Sequence, residues 1–544
     1  MSSLPGTPGD ERAVTGTPAT VTTRPSRPGR WARMASSIRA ASVPLRFLWL
    51  LLVIFLFKGI LIALVFPPYS GHDEVAHYAY LRVLAEEGRV PVIPDPIEFD
   101  RAYRADSDYD DWDMIPDEFY KYTKNGNSPP TKFITQDWWG DYAEPVRAVT
   151  YDGLYLPSGW IYTGNHPPLF YMLMTPIYWL VDGLDIDEQI YFFRMATIPF
   201  GMLTVVFAYL TVRTIFPRDR FLAMTVPAFV AFQPQVSYES AMLNNDILAI
   251  MFTSAVVWML AVGLRRKFPW WNVFLIGLFF GLAFLAKSTS VTVAILIAVA
   301  MIFGLHWKEP KKWLPKGIVA AGIAGILAMP WVLYMMSTYG DPTALERIDT
   351  LQWWNYGGGD GRSIWSMLSD KWFFWHRWQE TWGAFGWRWI QLDYPNKPEL
   401  LRNILIPTLF GTLGLAVYAL RFLRTQRWMI AEEEAGRDPG ELRLHTDETL
   451  SISHWQVTAV LTMGVAVVVG YYSILQFGTT FSLTQARYYF PMIVPGAILL
   501  MLGLRSWFPR TWLRYVGAAI FLGLVILNLV IYTGHVVPYW NPQL

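Results

Sequence analysis

Long apolar runs separated by short basic clusters constrain this chain more than any other feature of its sequence. A bilayer core takes about 20 consecutive apolar residues in a helix, and the 544-residue chain contains eleven runs of roughly that length. They lie at about 45–66, 191–213, 220–240, 245–265, 270–286, 289–306, 317–338, 402–423, 455–477, 487–506 and 512–533. The sequence therefore predicts an all-α polytopic membrane protein with about eleven transmembrane helices, within a range of ten to thirteen.

Composition supports this fold class and excludes others. With 53% apolar and only 16% charged residues, the chain lacks the polar surface that a soluble globule of this size needs. Its net charge is +1, and basic residues lie in short clusters between apolar runs, so we predict no nucleic-acid partner. The absence of cysteine excludes disulfides and thiolate metal sites.

The composition changes sharply near residue 45. Residues 1–44 are rich in Pro, Ser, Thr, Gly and Arg, which predicts a disordered cytoplasmic tail. We expect no cleavable signal peptide, because the first apolar run is long enough to remain in the bilayer as an anchor. Residues 45–510 are predicted to form one transmembrane catalytic module, and 511–544 the last transmembrane helix with an outer C-terminus.

Positive charge predicts the orientation of the spans, because basic loops stay on the cytoplasmic side. The basic clusters alternate correctly only if "HPPLFYMLMTPIYWLVDG", residues 166–183, does not cross the bilayer. We therefore interpret 166–183 as a helix on the outer face, with a short twelfth span as the alternative. This topology predicts two large outer loops, 67–190 and 339–401, where chemistry is expected.

The first outer loop opens with two adjacent carboxylates at the membrane boundary. Asp73 and Glu74 begin "DEVAHYAYLRVLAEEG", whose apolar spacing predicts a short amphipathic helix. In one interpretation Asp73 caps this helix and Glu74 is solvated in its first turn. In the other they are functional, because ionisable groups at a membrane boundary need a compensating role and His72 and His77 flank the pair.

Other polar residues are predicted on the same side of the membrane. They are Asn165 and His166 before the surface helix, Asn244, Asn245 and Asp246 at the outer end of one span, Lys287 with Ser288 at another, and Arg487 at a third. Taken singly, each has an ordinary explanation as a helix cap, a snorkelling side chain or an interfacial residue. Taken together, acids and bases on one face predict a site that joins a proton acceptor to anion-binding groups.

The order of these motifs resembles that of a known superfamily. An Asp-Glu pair after span one, "HPPLFY", "NND" and "GLFFGLAFLAKSTS" together resemble the GT-C membrane glycosyltransferases, which include protein mannosyltransferases, aminoarabinose transferases and oligosaccharyltransferase catalytic subunits. "ETWGAFGW" at 380–387 and "TQARYYFPMIVP" at 484–495 look similar to a less characterised bacterial branch. The resemblance covers most of residues 45–510.

The resemblance implies an inverting transfer of a sugar from a polyprenyl-phosphate carrier to an acceptor hydroxyl on the extracytoplasmic face. It gives Asp73 the role of general base, with Glu74 as the second candidate, and Asp246 a role in orienting acceptor or base. Aminoarabinose transferases carry a phosphate-binding lysine where this chain has His166, and Arg487 looks like a second phosphate partner. The remaining predicted substrate-binding residues are His72, His77, Asn165, Asn245 and Lys287.

Independent chemistry agrees with these roles. A sugar hydroxyl becomes a good nucleophile when a carboxylate takes its proton, a step that contributes roughly 10²- to 10⁴-fold in rate. Cationic groups such as Arg487, Lys287 or a protonated His166 stabilise a departing phosphate. The Trp-rich stretch at 353–387 could stack on a sugar, although an interfacial aromatic belt explains these residues equally well.

We predict no cofactor. His72, Asp73 and His77 leave a divalent metal open as an alternative, but their spacing matches no zinc signature. Lys58, inside the first apolar run, is expected to snorkel outward, with a lipid-groove lining role as the alternative.

The expected partners are a polyprenyl-phosphate-linked sugar donor, a glycan, lipid or protein acceptor, and membrane lipids. The expected location is the bacterial plasma membrane, in which the chain is multi-pass. A transporter or lipid flippase of envelope biogenesis is the alternative function, and a non-catalytic scaffold is a third.

Overall fold

The computed structural model describes most of the apolar part of the chain. The described residues are 30–105, 112–120, 148–151, 153–157, 159–352, 362–386, 390–392, 399–434, 453–479 and 484–540. Contacts divide the chain into two units, Met1–Arg46 and Phe47–Leu544, and every candidate site residue belongs to the second. Of the tail predicted at 1–44, residues 1–29 lie outside the described residues, and a helix begins at Arg30.

Helices account for nearly all of the regular structure, which confirms the predicted all-α class. In chain order they are α1 (Arg30–Val65), α2 (Glu74–Glu87), α3 (Pro96–Arg104), α4 (Leu169–Val181), α5 (Ile186–Ile215), α6 (Arg220–Phe232), α7 (Pro234–Glu239), α8 (Asp246–Arg266), α9 (Trp270–Ala286), α10 (Val293–Gly304), α11 (Pro310–Tyr339), α12 (Leu345–Gln352), α13 (Ile364–Ser369), α14 (Lys371–Gly383), α15 (Glu399–Glu434), α16 (His454–Gly478), α17 (Ile493–Trp507), α18 (Leu513–Ile531) and α19 (Val537–Trp540).

Two small antiparallel strand pairs lie in the predicted outer loops. β1 (Ala148–Tyr151) pairs with β2 (Leu154–Pro157), so that Val149 faces Leu156. β3 (Ala384–Phe385) pairs with β4 (Ile390–Gln391), with Phe385 facing Ile390. These pairs follow α3 and α14 in the chain.

Eight helices of the described residues are long and apolar enough to cross a bilayer. They are Val43–Val65, Ile186–Ile215, Asp246–Arg266, Pro310–Tyr339, Glu399–Arg421, His454–Gly478, Ala486–Trp507 and Leu513–Trp540. The runs predicted at 220–240, 270–286 and 289–306 fold instead as shorter apolar helices, as does Leu169–Val181 within the segment predicted to lie on the surface. The protein is therefore multi-pass, whereas a count of eleven spans and the placement of 166–183 stay predictions.

One predicted span is broken towards its C-terminal end. The run at 220–240 forms α6, ends at Phe232, and restarts as α7 at Pro234, whose side chain cannot continue a helical hydrogen-bond ladder. Lys58 from α1 supports the break, because its amine bonds the carbonyl of Ala231 and lies 2.7 Å from the hydroxyl of Ser237. The lysine expected to snorkel thus places its amine at the C-terminal end of α6.

The central helix of the bundle is α8. In the most apolar part of α8, 89% of the residues are buried, whereas in the corresponding part of Glu399–Arg421 only 17% are buried. α8 is therefore surrounded by protein, while α15 presents most of its surface outward. α8 packs against α5 and α9 along its length. Its first residue, Asp246, therefore starts from the middle of one end of the bundle.

Candidate active site

Two carboxylates and two cations from four distant parts of the chain meet at that end of the bundle. A guanidinium nitrogen of Arg487 lies 2.6 Å from Oδ2 of Asp73 and another lies 3.6 Å from Oδ2 of Asp246. Lys287 forms an ion pair with the other oxygen of Asp246. The side chains of all four are between 9 and 12% exposed. The structure thus brings together four residues that the sequence predicted to lie near one another, Asp73, Asp246, Lys287 and Arg487.

Short turns at helix entrances position these groups. Asp246 is the first residue of α8, and Lys287 lies between the end of α9 and the 3₁₀ turn Ser288–Thr292. Arg487 lies in the 3₁₀ segment Ala486–Met492, which leads into α17. A side chain at such a junction can project along the bundle end, whereas a side chain within a span faces neighbouring helices or lipid.

Asp73 occupies a strained backbone position and does not cap its helix. Its φ of 59° and ψ of 8° fall in the left-handed region, and its carboxylate makes no capping hydrogen bond to α2. Such a conformation costs a residue other than glycine roughly 1–2 kcal/mol. The side chain instead accepts a 2.6 Å hydrogen bond from the Tyr162 hydroxyl on Oδ1 and pairs with Arg487 through Oδ2.

These partners keep Asp73 ionised. Burial opposes the charged form, but the guanidinium of Arg487 and the hydrogen bond from Tyr162 outweigh burial and hold the pKa of the Asp73 carboxyl well below its usual range. A deprotonated carboxylate at neutral pH is the form that can accept a proton.

Glu74, the second candidate for the base, forms a buried ion pair with Arg194. It is fully buried, and Arg194 contacts both of its oxygens at 2.8 and 2.6 Å. The same carboxylate accepts the backbone N–H groups of Gly71 and Leu243 at 2.8 and 3.0 Å. A side chain at position 71 would collide with it, since a Cβ there would lie 2.5 Å from the Glu74 carboxyl carbon. Glu74 therefore ties together the turn that carries Asp73.

His77, Tyr171, His166 and Asn245 form a buried hydrogen-bonded chain beside the ion pairs. The Tyr171 hydroxyl lies 2.9 Å from Nδ1 of His77 and 3.3 Å from Nδ1 of His166, and Asn245 Nδ2 lies 3.3 Å from that same His166 nitrogen. Burial lowers the pKa of His77 to about 4. Burial, with the nearby charge of Lys287, holds the pKa of His166 well below its usual range. Both rings are therefore neutral near pH 7.

His72 faces another buried cluster. Its Nδ1 lies 3.3 Å from Glu239, whose carboxylate also accepts hydrogen bonds from Gln235 at 3.1 Å and Asn244 at 2.8 Å. Asn165 makes none of these contacts with the other predicted site residues. Its side-chain amide donates instead to the carbonyl of Thr343 at 3.4 Å.

The Trp-rich stretch is divided between two environments. Residues 353–361 and 387 of that stretch lie outside the described residues. Trp365 and Trp372 are exposed on α13 and α14, as interfacial aromatics are, while Trp382 is buried and contacts Trp378. Within the described part of the chain no three His, Asp or Glu side chains are grouped as metal ligands.

Sequence reasoning missed Tyr162, Arg194 and Glu239. Arg194 and Glu239 left a signal, because each is a charged residue within a run that was predicted to span the membrane. Tyr162 left none, since an aromatic residue in a loop has many ordinary uses, and only the fold places its hydroxyl on Asp73.

Part of the chain matches a known protein family. Residues 165–334 match the sequence model of a family described as dolichyl-phosphate-mannose-protein mannosyltransferase. This stretch contains His166, Asn245, Asp246 and Lys287, and the match confirms the resemblance to GT-C glycosyltransferases. It covers less than half of the chain, so it is a similarity to that family. No curated protein matches the chain.

Solved membrane-protein structures share only a distant likeness with the chain. ArnT from Cupriavidus metallidurans bound to undecaprenyl phosphate is 13% identical with a TM-score of 0.41, over 90% of this chain and 73% of ArnT. The Archaeoglobus fulgidus oligosaccharyltransferase in complex with Zn and sulfate is 12% identical with a TM-score of 0.46, over 91% of this chain. The chain spans about half of that protein's length, 52%. Likeness at this level carries no argument about chemistry.

Proposed function

We propose that this chain is an inverting glycosyltransferase that moves a sugar from a polyprenyl-phosphate carrier to an acceptor hydroxyl on the extracytoplasmic face of the bacterial plasma membrane. The observation that carries the proposal is the bridging position of Arg487 between Asp73 and Asp246, with Lys287 on the far side of Asp246. A candidate base thus stands directly beside candidate phosphate-binding cations.

The reaction follows from this arrangement. Asp73 accepts the proton of the acceptor hydroxyl while the hydroxyl oxygen bonds to the anomeric carbon of the sugar. The bond from that carbon to the phosphate oxygen breaks, its electron pair stays on the departing polyprenyl phosphate, and attack from the opposite face inverts the anomeric centre. Arg487 and Lys287 stabilise the charge that gathers on the phosphate through charge-assisted hydrogen bonds.

Donor binding also changes the base. In the resting structure Arg487 holds the pKa of Asp73 low, so the carboxylate is ionised but weakly basic. A phosphate that takes over guanidinium hydrogen bonds from Asp73 raises that pKa towards its usual range and makes the carboxylate a better proton acceptor. The base is then activated when the donor is in place.

The choice of donor rests on the family match and on the membrane fold. The family description names a sugar carried on a lipid phosphate, and the matched residues include Asp246 and Lys287. A long isoprenoid chain would lie in the bilayer that the apolar helices are long enough to cross, next to the bundle that carries the site.

A transporter is the second candidate, and one observation favours it. Lys58, Ser237 and Asn528 form a polar cluster among apolar helices, and transporters often place polar groups at broken helices within the membrane. The contacts of this cluster lie at the α6–α7 break, and none of the four charged site residues belongs to it.

Reconstitution separates the two functions. Purified protein in proteoliposomes is given radiolabelled undecaprenyl-phosphate sugars, with envelope glycan and lipid extracts as acceptors. We expect label to leave the carrier and appear in a new glycosidic linkage of inverted configuration. Movement of intact donor across the bilayer without cleavage would instead establish the transporter and refute the proposal.

Mass spectrometry of envelope glycans from a deletion strain then identifies the sugar and its acceptor. The transferase predicts the loss of one sugar from one glycan class, together with accumulation of its carrier-linked precursor.

A further inference from the structure

The hydrogen-bonded chain of His77, Tyr171 and His166 beside the candidate base has no role in the proposed reaction. His77 lies on α2, Tyr171 on α4, and His166 in the turn before α4, where it also contacts Asn245 at the start of α8. His77 and Tyr171 are 1% and 0% exposed, whereas His166 is half-buried. The chain therefore leads from the interior towards the surface.

The hydrogen bonds of Asn245 fix the protonation of His166. The amide nitrogen of Asn245 lies 2.9 Å from the backbone carbonyl of Ala286, which can only accept, so this nitrogen carries the amide hydrogens. The same nitrogen lies 3.3 Å from Nδ1 of His166, which therefore accepts. A neutral imidazole that accepts through Nδ1 carries its hydrogen on Nε2.

The other two contacts then have one arrangement of hydrogens. The Tyr171 hydroxyl, 3.3 Å from Nδ1 of His166, supplies the hydrogen of that contact because the nitrogen has none. The hydroxyl has a single hydrogen, so the 2.9 Å contact with Nδ1 of His77 takes its hydrogen from His77. The bare nitrogen of His77 is therefore Nε2. The donors point in one direction, from His77 through Tyr171 to His166.

His77 begins this chain close to Asp73. Its backbone N–H bonds the carbonyl of Asp73 at 2.9 Å, and residues four apart on a helix are neighbours. After Arg487, the ring of His77 is the group that lowers the pKa of the Asp73 carboxyl most, although burial opposes both. Within the described part of the chain the Asp73 carboxylate bonds only Tyr162 and Arg487, so a gap remains between it and the His77 ring.

Turnover requires an exit for a proton. In the proposed reaction Asp73 takes the proton of the acceptor hydroxyl and has to lose it before it can act as base again. When the phosphate leaves, Arg487 returns to Asp73 and favours this loss. Burial lowers the pKa of both histidine rings, so neither ring retains the proton. The charged groups that face the rings are Asp73, Asp246, Lys287 and Arg487, two of each sign.

We propose that this chain is a relay that carries the proton taken up by Asp73 to the aqueous phase after each transfer, which rests on the proposed glycosyltransferase function. Through one bridging water, Asp73 passes its proton to Nε2 of His77, and the hydrogen on Nδ1 of His77 moves to the Tyr171 oxygen. The Tyr171 hydrogen moves to Nδ1 of His166, which releases its Nε2 hydrogen to water. Exchange of ring hydrogens with water restores the starting arrangement, which Asn245 favours.

Burst kinetics test the relay, because the proton leaves after the first transfer. Protein in nanodiscs is mixed rapidly with saturating amounts of the undecaprenyl-phosphate sugar and acceptor that the wild type uses. Tyr171→Phe lacks the hydroxyl that passes the proton, so it should form about one product per protein at the wild-type rate and then turn over about 10-fold or more slowly. The slow phase should be faster at higher pH and slower in heavy water.

Tyr80→Phe is the matched control. Tyr80 is buried and stacks on Tyr171 with ring centroids 3.5 Å apart, but its hydroxyl bonds the backbone carbonyl of His166 and is not part of the chain. This variant should turn over in one phase at the wild-type rate. His77→Gln can still bond Tyr171 but passes no proton, so it should show the same burst and keeps the test available if Tyr171→Phe folds poorly.

Three kinetic results would overturn the relay. The first is a single phase at the wild-type rate in Tyr171→Phe, and the second is an equal loss in the first and later turnovers, which a structural defect causes. The third is a slow phase that neither pH nor heavy water changes, which indicates slow product release. Absence of any transfer by the wild type would instead remove the proposed function, and the relay would fall with it.

The arrangement of hydrogens can be measured without turnover. The chain has eight histidines, and nitrogen NMR spectra of protein labelled at histidine distinguish protonated from bare ring nitrogens. We expect a bare Nε2 in His77 and a bare Nδ1 in His166, with His77→Gln and His166→Gln used to assign the signals. The opposite tautomer of either ring would overturn the relay even in a protein that transfers sugar.

Discussion

At the scale of single residues, Asp73 combines a strained backbone with a side chain held from two sides. Its left-handed conformation turns the carboxylate away from α2, where the common capping role would have used it, and towards Tyr162 and Arg487. Strain of this kind persists only where surrounding contacts impose it, and it is frequent at functional sites. We therefore infer that Tyr162 is a positioning residue for Asp73.

Replacing Tyr162 with Phe should change both rate and pH dependence. The substitution removes the hydrogen bond that holds the carboxylate in place, and a misplaced catalytic group can cost about 10²-fold, so we expect the rate to fall roughly 10- to 100-fold although the carboxylate becomes more basic. That bond lowers the pKa of Asp73, so the pKa rises in the variant and the acidic limb of the pH–rate profile moves to higher pH. In the wild type, protonation of Asp73 should cost no activity between pH 8 and pH 5.

Steady-state kinetics across this pH range provide the measurement. Tyr155→Phe, another tyrosine of the first outer loop outside the site, is the control and should retain the wild-type profile. A Tyr162→Phe profile with an unshifted acidic limb would show that the hydroxyl does not act through Asp73.

At the scale of elements, the pair Glu74–Arg194 holds α1, α2 and α5 in register. Besides contacting Glu74, Arg194 donates to the carbonyls of Ala63 at 3.0 Å and of Phe66 at 2.6 Å, at the end of α1. Both side chains are fully buried. The pair therefore fixes the turn between the first span and α2, on which the position of Asp73 depends.

Glu74→Gln should destabilise the fold by about 3–5 kcal/mol, because it leaves a buried guanidinium without its counter-charge. The measurement is the thermal unfolding midpoint in detergent, with Glu87→Gln at the exposed end of α2 as the matched control. Replacing both partners, as Glu74→Met with Arg194→Met, should not restore stability, because the backbone groups of Gly71, Leu243, Ala63 and Phe66 would then be buried without partners. A Glu74→Gln protein as stable as the wild type would refute this structural role.

Sequence patterns predicted the positions of the helices well, but they predicted few of the contacts between helices. Eight long apolar runs became helices of spanning length because hydrophobic length alone decides that outcome. The run at 220–240 did not, because Pro234 ends the ladder and Lys58 satisfies the open carbonyl end, a contact between residues far apart in the chain. Predicted sidedness grouped Asp73, Asp246, Lys287 and Arg487, which the structure places in contact. The pairing of Glu74 with Arg194 depends on packing that one sequence does not display.

At the scale of the whole molecule, the site occupies one end of a helical bundle. Helix α8 runs from Asp246 to Arg266 and has 21 residues, which at 1.5 Å per residue separates its two ends by about 30 Å. That distance equals the thickness of a bilayer core. We infer that the site end faces outward, because the other end carries Arg265 and Arg266 and basic residues mark the cytoplasmic side.

The natural absence of cysteine makes this orientation directly testable. In intact cells a membrane-impermeant maleimide should label Glu87→Cys, on the exposed end of α2, and should label Arg266→Cys only after permeabilisation. Labelling in the reverse order would place the site in the cytoplasm and remove the extracytoplasmic part of the proposal.

The most direct test of the central claim is the single-turnover transfer rate of Asp73→Asn with donor bound at saturation. Asn removes the proton-accepting charge, yet it tolerates the left-handed backbone at this position, so the fold and the donor affinity should persist. We expect the rate to fall about 10²- to 10⁴-fold, while Asp185→Asn, at an exposed position of the same loop, transfers normally. A loss of less than about tenfold is well short of the loss that removing a general base causes. Transfer by Asp73→Asn at such a rate would contradict the role of Asp73 as the general base.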